Sequence, residues 1–418
     1  MPLRFLTAGE SHGKALMVIV EGLPAGLPVT ADWVDRDLGR RMMGYGRGAR
    51  MKIERDRIEW VAGVRAGETL GSPVGMLVHN RDWSNWEDIM AAEGQPGETR
   101  RRRLNRPRPG HADLVGVLKY DRSDARDILE RASARETAAR VAAGALARRL
   151  LDEFGVDVGS HVVSLGGIEA RPANAPAADL PLPLNPAADR SEVRVLDPAV
   201  DAAMIARIDQ ARKDGDTLGG ECEVVVRGLP AGLGSHVHWD RKLDGRLAGA
   251  LMSIPAVKAV EIGMGFEAAR RPGSEVHDPI DAAATPGEPA PPPSLHGGYV
   301  RRSNNAGGLE GGITTGAPLV IRVGMKPIAT LMSPLPTIDL RTGLPAKAQA
   351  ERSDVTAVPA MGVIAEALTA FVLAEAWLEK FGGDSLAETR RNFEGYLARL
   401  RERWTELAPP DAVAVEDS

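Results

Sequence analysis

A single cysteine, Cys222, stands among the 418 residues, so no intrachain disulfide can form and a reducing cytoplasm is the expected home. No basic segment followed by an apolar run opens the chain. Glu10 and His12 arrive too early for a signal peptide. No run of about 18 apolar residues is read in the sequence, so no membrane span is expected. Metal-ligand spacing is missing too. The eight histidines are scattered, and His236-Val-His238 has no nearby cysteine or HExxH partner. Bulk positive charge is also lacking. The formal net charge of −5 gives no field that favours nucleic acid, and the arginine run at 100–103 has no interleaved aromatics to stack bases. Lysine is scarce: nine of the 52 basic residues, leaving arginine, the side chain suited to bidentate contacts with phosphate and carboxylate.

What remains is an ordinary globular composition, 43% hydrophobic and 26% charged. Strand-like runs are short and bounded by glycine: LMVIVEG, RIEWVAG, PVGMLVHN, CEVVVRG and APLVIRVGM. Two long segments repeat apolar residues at three- and four-residue spacing, 133–155 and 361–383. Both are apolar around much of their circumference, which predicts helices buried between other layers. VEGLPAGLPVTADW (20–33) is echoed by VRGLPAGLGSHVHW (226–239), and both long helices close on Phe-Gly. We read an old duplication: two related α+β halves in one domain, residues 1–407. The tail 408–418 is expected to be disordered, and the proline-rich stretches 171–189 and 285–293 to be loops or mobile flaps.

Several polar segments carry chemistry. Gly9-Glu10-Ser11-His12-Gly13 fits G-x-S-x-G, the nucleophile elbow of serine hydrolases. Ser133-Ala-Arg-Glu136 reads as a capping box opening the first long helix, and Arg131 and Arg135 beside it make an anion site at a helix N-terminus plausible, against the blander reading of an ordinary cap. NRPRPGHAD (105–113) holds Arg106, Arg108 and His111 in a proline-stiffened loop. RRMMGYGRGARM (40–51) alternates arginines with glycines, which suits a loop wrapping a polyanion. SNNAGGLEGGITTGAP (303–318) is dense in glycine but lacks the P-loop order. Lys326 leaves a strand in GMKPIATL, and Arg352 and Asp354 precede the second long helix.

Taken in order from residue 7 to 389, these segments, with RASARETAARVAAG and KFGGDSLAET, closely resemble the chorismate synthase family. The resemblance implies elimination of phosphate from 5-enolpyruvylshikimate 3-phosphate, requiring reduced FMN with no net redox change. It also implies a cytoplasmic homotetramer of β-α-β sandwich subunits, helices packed between antiparallel sheets. Residue by residue, it implies His12 as the group that protonates or stabilises the departing phosphate, His111 as the group that steadies the reduced flavin, and Asp354 as an aid to loss of the C6 hydrogen. Ser11, Arg47, Arg108, Arg135 and Arg352 are the implied substrate contacts. The implied flavin contacts are Arg131, Ala132, Ser133, Pro255, Ala256, Gly311, Lys326, Pro327, Ile328, Ala329, Thr330 and Arg352. Arg41 and Arg47 are implied near flavin or NADPH.

Pro255, Ala259 and Ala329 depart from the residues the family often carries there, which puts those single contacts in doubt. NADPH is expected only as the source of electrons for a separate flavin reductase, since no added reductase domain is seen. No metal, nucleic acid or membrane partner is expected. A serine hydrolase built on Ser11 is one rival. A non-catalytic phosphate- or nucleic-acid-binding protein using the arginine loops is the other.

Overall fold

Strands β1 (Arg4–Ala8) and β2 (Ala15–Glu21) open the chain and pair antiparallel. In β2 the side chains alternate: Leu16, Val18 and Val20 are buried, while Met17 and Ile19 are exposed. Helix Ala31–Met42 follows, capped by Thr30, then β3 (Ile58–Ala62), a small hairpin of β4 (Val64–Arg65) and β5 (Glu68–Thr69), and β6 (Val74–His79). The first sheet has the order β1-β2-β6-β3. This architecture comes from a computed structural model that describes residues 2–48, 56–93, 103–171, 177–285, 295–349 and 354–407.

The second half repeats the plan. It contains β7 (Asp157–Leu165), a short β8 (Ile168–Glu169), β9 (Gly220–Arg227), helix Leu243–Met252 and β10 (Val257–Ile262). An antiparallel pair, β11 (Ile280–Ala282) and β12 (Tyr299–Arg301), is inserted before the hairpin of β13 (Leu309–Glu310) and β14 (Ile313–Thr314), and β15 (Leu319–Met325) follows. The sheet order is β10-β15-β9-β7-β8. Read from its other end, β7-β9-β15-β10 reproduces β1-β2-β6-β3. Even the bulges correspond, at Trp60/Ala62 on β3 and Val257/Ala259 on β10. A last hairpin, β16 (Pro336–Ile338) and β17 (Pro345–Lys347), reaches back to the 105–107 loop.

The sequence echo at 20–33 and 226–239 is therefore a true repeat, and its hydrogen bonds repeat as well. The Thr69 hydroxyl donates to the Pro24 carbonyl at 2.6 Å and accepts from the Leu27 amide at 3.0 Å. The Thr314 hydroxyl donates to the Pro230 carbonyl at 2.6 Å and accepts from the Leu233 amide at 2.8 Å. The tryptophans have diverged. The Trp33 indole donates to the Ala145 carbonyl, whereas Trp239 is 77% exposed.

Between the sheets lie the two long helices, Thr137–Asp152 and Val358–Phe381. The first packs on the inner face of β2, the second on β7 and β9, and each on the other. They approach tightly at Gly144, where an added Cβ would meet the Ala367 carbonyl oxygen at 2.5 Å. Gly249, in helix Leu243–Met252, faces open space. Gly144→Ala is therefore expected to lower stability by about 1–3 kcal/mol, since overpacking against backbone outweighs the gain in helix propensity. Gly249→Ala should raise it by about 0.5–1 kcal/mol. Urea midpoints of the two variants test this; equal shifts would show the helix contact to be looser than described.

Helix Val358–Phe381 is long and apolar enough by composition to cross a membrane, but it is the buried core helix of the sandwich, as its all-round apolar pattern predicts. Two sequence expectations are corrected. Ser133 does not form a capping box. Its hydroxyl accepts from the Arg135 amide at 3.3 Å, a 3-10 turn spans Ala134–Glu136, and the Glu136 carboxylate pairs with Arg140. The hydrogen-bonded capping box is Ser385 with Glu388. Finally, part of the proline-rich segment is an ordered cover. Leu180 and Leu184 pack with Val225 and Val320 on the outer face of the second sheet. Residues 172–176, 286–294 and the 408–418 tail lie outside the described residues.

Candidate active site

The GESHG segment is the turn between β1 and β2. Gly9 has φ +107°, and a Cβ there would meet the Ala15 carbonyl at 2.5 Å, so the tight return needs glycine. The turn is fastened to helix Arg126–Ala132. The Ser11 amide donates to the Glu130 carbonyl, and Asn80 Nδ2 donates to the carbonyls of Ser11 and Gly13. Arg131 donates to the carbonyls of Thr7 and Gly9 and to the Thr7 hydroxyl. Its guanidinium is thus engaged in holding β1.

Ser11 Oγ accepts from Ser133 Oγ at 3.2 Å, and His12 Nδ1 lies 2.9 Å from the Glu130 carboxylate. The turn joins strand to strand, not strand to helix, so the hydrolase elbow is absent. The His12 ring stacks on Trp86 with centroids 3.8 Å apart.

Beyond Ser133 the arginines gather. Arg41, in the last turn of its helix, donates to the Thr137 hydroxyl and the Ala134 carbonyl, each at 2.9 Å. Arg135 Nη1 donates to Asp56 at 2.6 Å. Arg47 pairs with Asp354 at 3.2 Å, and the Gly48 amide donates to the same carboxylate at 2.6 Å. Arg41, Arg47 and Arg135 thus gather about Asp56 and Asp354. Burial pushes Arg41 down to about 10, and Arg47 and Arg135 add to the fall against the pull of Asp56, 3.7 Å away.

The NRPRPGHAD loop makes a second cluster. Arg108 donates to Asp113 through its backbone amide, Nε and Nη2, and to Thr330 Oγ1 at 2.8 Å. His111 Nδ1 is 2.6 Å from Asp113. Burial opposes ionisation of Asp113, but His111 and Arg108 hold its carboxyl well below the usual range. Lys326 Nζ donates to the Gly110 carbonyl at 3.0 Å, knitting this loop to the Lys326–Thr330 segment. Burial and Lys258 push the Lys326 ammonium down.

Not every candidate converges. Ala132 ends helix Arg126–Ala132 just before Ser133. The Thr217 hydroxyl donates to the Ile328 carbonyl, in the strand exit that also holds Pro327 and Ala329. Pro255 and Ala256 form the turn into β10. Ala256 has φ +69°, a strained value for a residue with a side chain, and its carbonyl accepts from the Lys326 amide. Gly311 lies in the β13–β14 turn near His236, and no described contact joins it to the arginine cluster. Arg108 is spent on Asp113 and Thr330. Arg352 lies outside the described residues. Sequence reading missed Glu130, Trp86 and Asp56. Glu130 stands three residues before Ser133, but nothing local marks its pairing with His12. No group of three metal-ligating side chains occurs among the described residues.

A sheet–helix–sheet sandwich holding carboxylate-bound imidazoles beside a cluster of guanidinium groups defines an enzyme of small, polyanionic substrates. Residues 3–378 match the family model described as chorismate synthase. The chain is 57% identical over 407 residues to the chorismate synthase of Symbiobacterium thermophilum, covering 96% of this chain and 100% of that one. It is 56% identical to that of Streptomyces coelicolor, covering 95% and 98%. A solved chorismate synthase structure superposes with TM-score 0.75 at 42% identity, covering 96% of this chain and 99% of that one. The chain belongs to the chorismate synthase family. It is a carbon–oxygen lyase of aromatic amino acid biosynthesis, forming chorismate by 1,4-elimination of phosphate from 5-enolpyruvylshikimate 3-phosphate.

Proposed function

We propose that the recess lined by Ser11, His12, Arg41, Arg47, Arg135 and Asp354 is where this elimination takes place. The observation that carries the reading is the gathering of Arg41, Arg47 and Arg135 beside the Ser133 turn, whose hydroxyl joins Ser11 next to an imidazole held by a buried carboxylate. Arg47 and Arg135 bind the substrate's phosphate and carboxylates, and Ser11 orients it. His12 supplies a proton to the departing phosphate, a poor leaving group when fully charged. Asp354, held by the Gly48 amide and Arg47, stands ready for the proton lost from C6.

Reduced FMN is the proposed cofactor, and the residues present fit a flavin phosphate. Lys326 is a half-buried cation, depressed by burial and by Lys258, and it adjoins the Ala256 turn and the Pro327–Thr330 backbone. Bound there, FMN supplies transient electron density that assists phosphate departure. His111, fixed through Nδ1 by Asp113, holds a proton at Nε2 for that cofactor. The Ser133 segment, joined to Ser11 through its hydroxyl, contacts the flavin as well. NADPH enters only as electron source for a separate flavin reductase.

Homotetramer assembly and a cytoplasmic setting complete the proposal. Leu6, Met17, Ile19 and Val61 leave the outer face of the first sheet apolar and exposed, which suits burial against another copy. The lone Cys222 is buried and unpaired.

Anaerobic incubation with the enolpyruvyl substrate and reduced FMN should release phosphate and build chorismate absorbance together. Turnover with oxidised FMN alone, or none with reduced FMN, would overturn the cofactor assignment.

A further inference from the structure

Both histidines of the site sit in the same three-part arrangement. Arg126 and His12 bind one carboxylate, Glu130; Arg108 and His111 bind another, Asp113. The two sets come from different segments of chain, so local sequence does not account for the likeness. Around His12 the arrangement is the more complete. Its Nδ1 lies 3.0 and 2.9 Å from the two Glu130 oxygens, and its backbone amide donates to Oε2 at 2.9 Å. Arg126 Nη1 donates to Oε1 at 2.9 Å. The imidazole lies on one side of Trp86, 31° from parallel, and the Arg126 guanidinium lies 5.1 Å from the same indole. Trp86 is itself fixed by its Nε1 donating to Asp82.

We propose that Glu130 is the positioning residue for His12: it accepts a hydrogen bond from Nδ1–H and so assigns proton transfer to Nε2, with Trp86 stacked on the ring and Arg126 holding the carboxylate. The proposal rests on the reading that His12 protonates the departing phosphate. The Glu130 side chain is 1% exposed and that of Arg126 8%, so the carboxylate acts in a medium that strengthens its pull on the ring. Burial opposes its ionisation, yet the His12 side chain and backbone and Arg126 hold its carboxyl below the usual value. Arg126 keeps the carboxylate charged, and the carboxylate in turn orients the ring through Nδ1. A salt bridge serving only to tie the helix to the turn would be satisfied by Arg126 and the His12 amide. The second ring contact and the stacked indole hold the ring's plane as well. Among the described contacts, the charged groups around the ring are Glu130 and Arg126 from the helix and Asp82 behind Trp86.

The test is a cycle of Glu130→Gln, His12→Ala and the double variant, assayed as full-length enzyme with reduced FMN across pH. Glu130→Gln should lower kcat roughly 10–100-fold, as loss of an orienting partner does, with KM little changed. Its pH profile should also differ from that of wild type, because the carboxylate and the ring form one hydrogen-bonded unit. The double variant should be no slower than His12→Ala, since Glu130 acts through the ring. If Glu130→Gln does not fold, judged by its near-ultraviolet circular dichroism, Glu130→Asp takes its place with the same expectations at smaller amplitude. A wild-type pH profile, or a double variant slower by the product of the two effects, overturns the positioning role while leaving His12 in place. A wild-type rate for His12→Ala instead removes the underlying reading.

Discussion

His12→Ala is expected to slow turnover roughly 10²–10⁴-fold, the usual range for a lost acid–base group. KM should move far less, because Arg47 and Arg135 supply the charge that holds the substrate. The turn itself should survive. Ser11 and Asn80 fasten it through backbone, and the residue-12 amide can still donate to Glu130. Glu130 keeps Arg126 as a partner, so no buried carboxylate is left without a cation. Steady-state phosphate release, with circular dichroism to confirm the fold, separates chemistry from stability. A rate within a few-fold of wild type would mean that the phosphate leaves without help from this ring.

The second large effect is on stability. Glu366 lies fully buried in the middle of helix Val358–Phe381. Its oxygens accept from Arg40 at 2.8 and 3.0 Å, Arg148 at 2.6 Å, Arg194 at 3.2 Å, Ser160 at 2.6 Å and Asn185 at 3.1 Å. Asp37 and Asp189 join the same arginines, so three carboxylates balance three guanidinium groups. Glu366→Ala leaves one buried cation unmatched and several donors unsatisfied. We expect a loss of about 3–5 kcal/mol, a large share of the roughly 5–15 kcal/mol that holds a typical domain.

The pH dependence gives a second check. Burial opposes ionisation of Glu366, but Arg40, Arg148 and Arg194 hold its carboxyl well below the ordinary value. A depressed folded-state value contributes stability that is present above the unfolded-state value of about 4.3 and is lost as pH falls below it. The stability gap between wild type and Glu366→Ala, read from urea unfolding, should therefore be widest near neutrality and narrow below about pH 4. A gap independent of pH would show that the lost contacts, not the charge, set the cost.

Neighbouring residues have opposite duties at this point of the chain. Arg40 is drawn into the Glu366 network, and Arg41 turns to Thr137 and the active-site recess. The network thus fixes the helix that presents Arg41. Glu366 variants that still fold should keep most of their activity, whereas changes at Arg41 act on the site directly.

The sequence by itself determined five of the sheet strands, the two core helices, the repeat and the polar segments of the site, but not β1, β7 or β10. Those features are short-range. Alternation in LMVIVEG, three- and four-residue spacing in 361–383, and glycine at φ > 0 in GESHG are dictated by residues close in the chain.

Only the tertiary structure decided who partners whom. Ser133 followed by Glu136 has the spacing of a capping box, but the Ser133 hydroxyl is taken by the Arg135 amide and Ser11, so a 3-10 turn prevails. Glu130 is 118 residues from His12, and Glu366 is 326 residues from Arg40. In the sequence one is a helix charge and the other an interruption in an apolar run. Their roles arise because packing removes water from both partners of each pair. A charge so buried has to find its counterpart across the fold, whatever the distance along the chain.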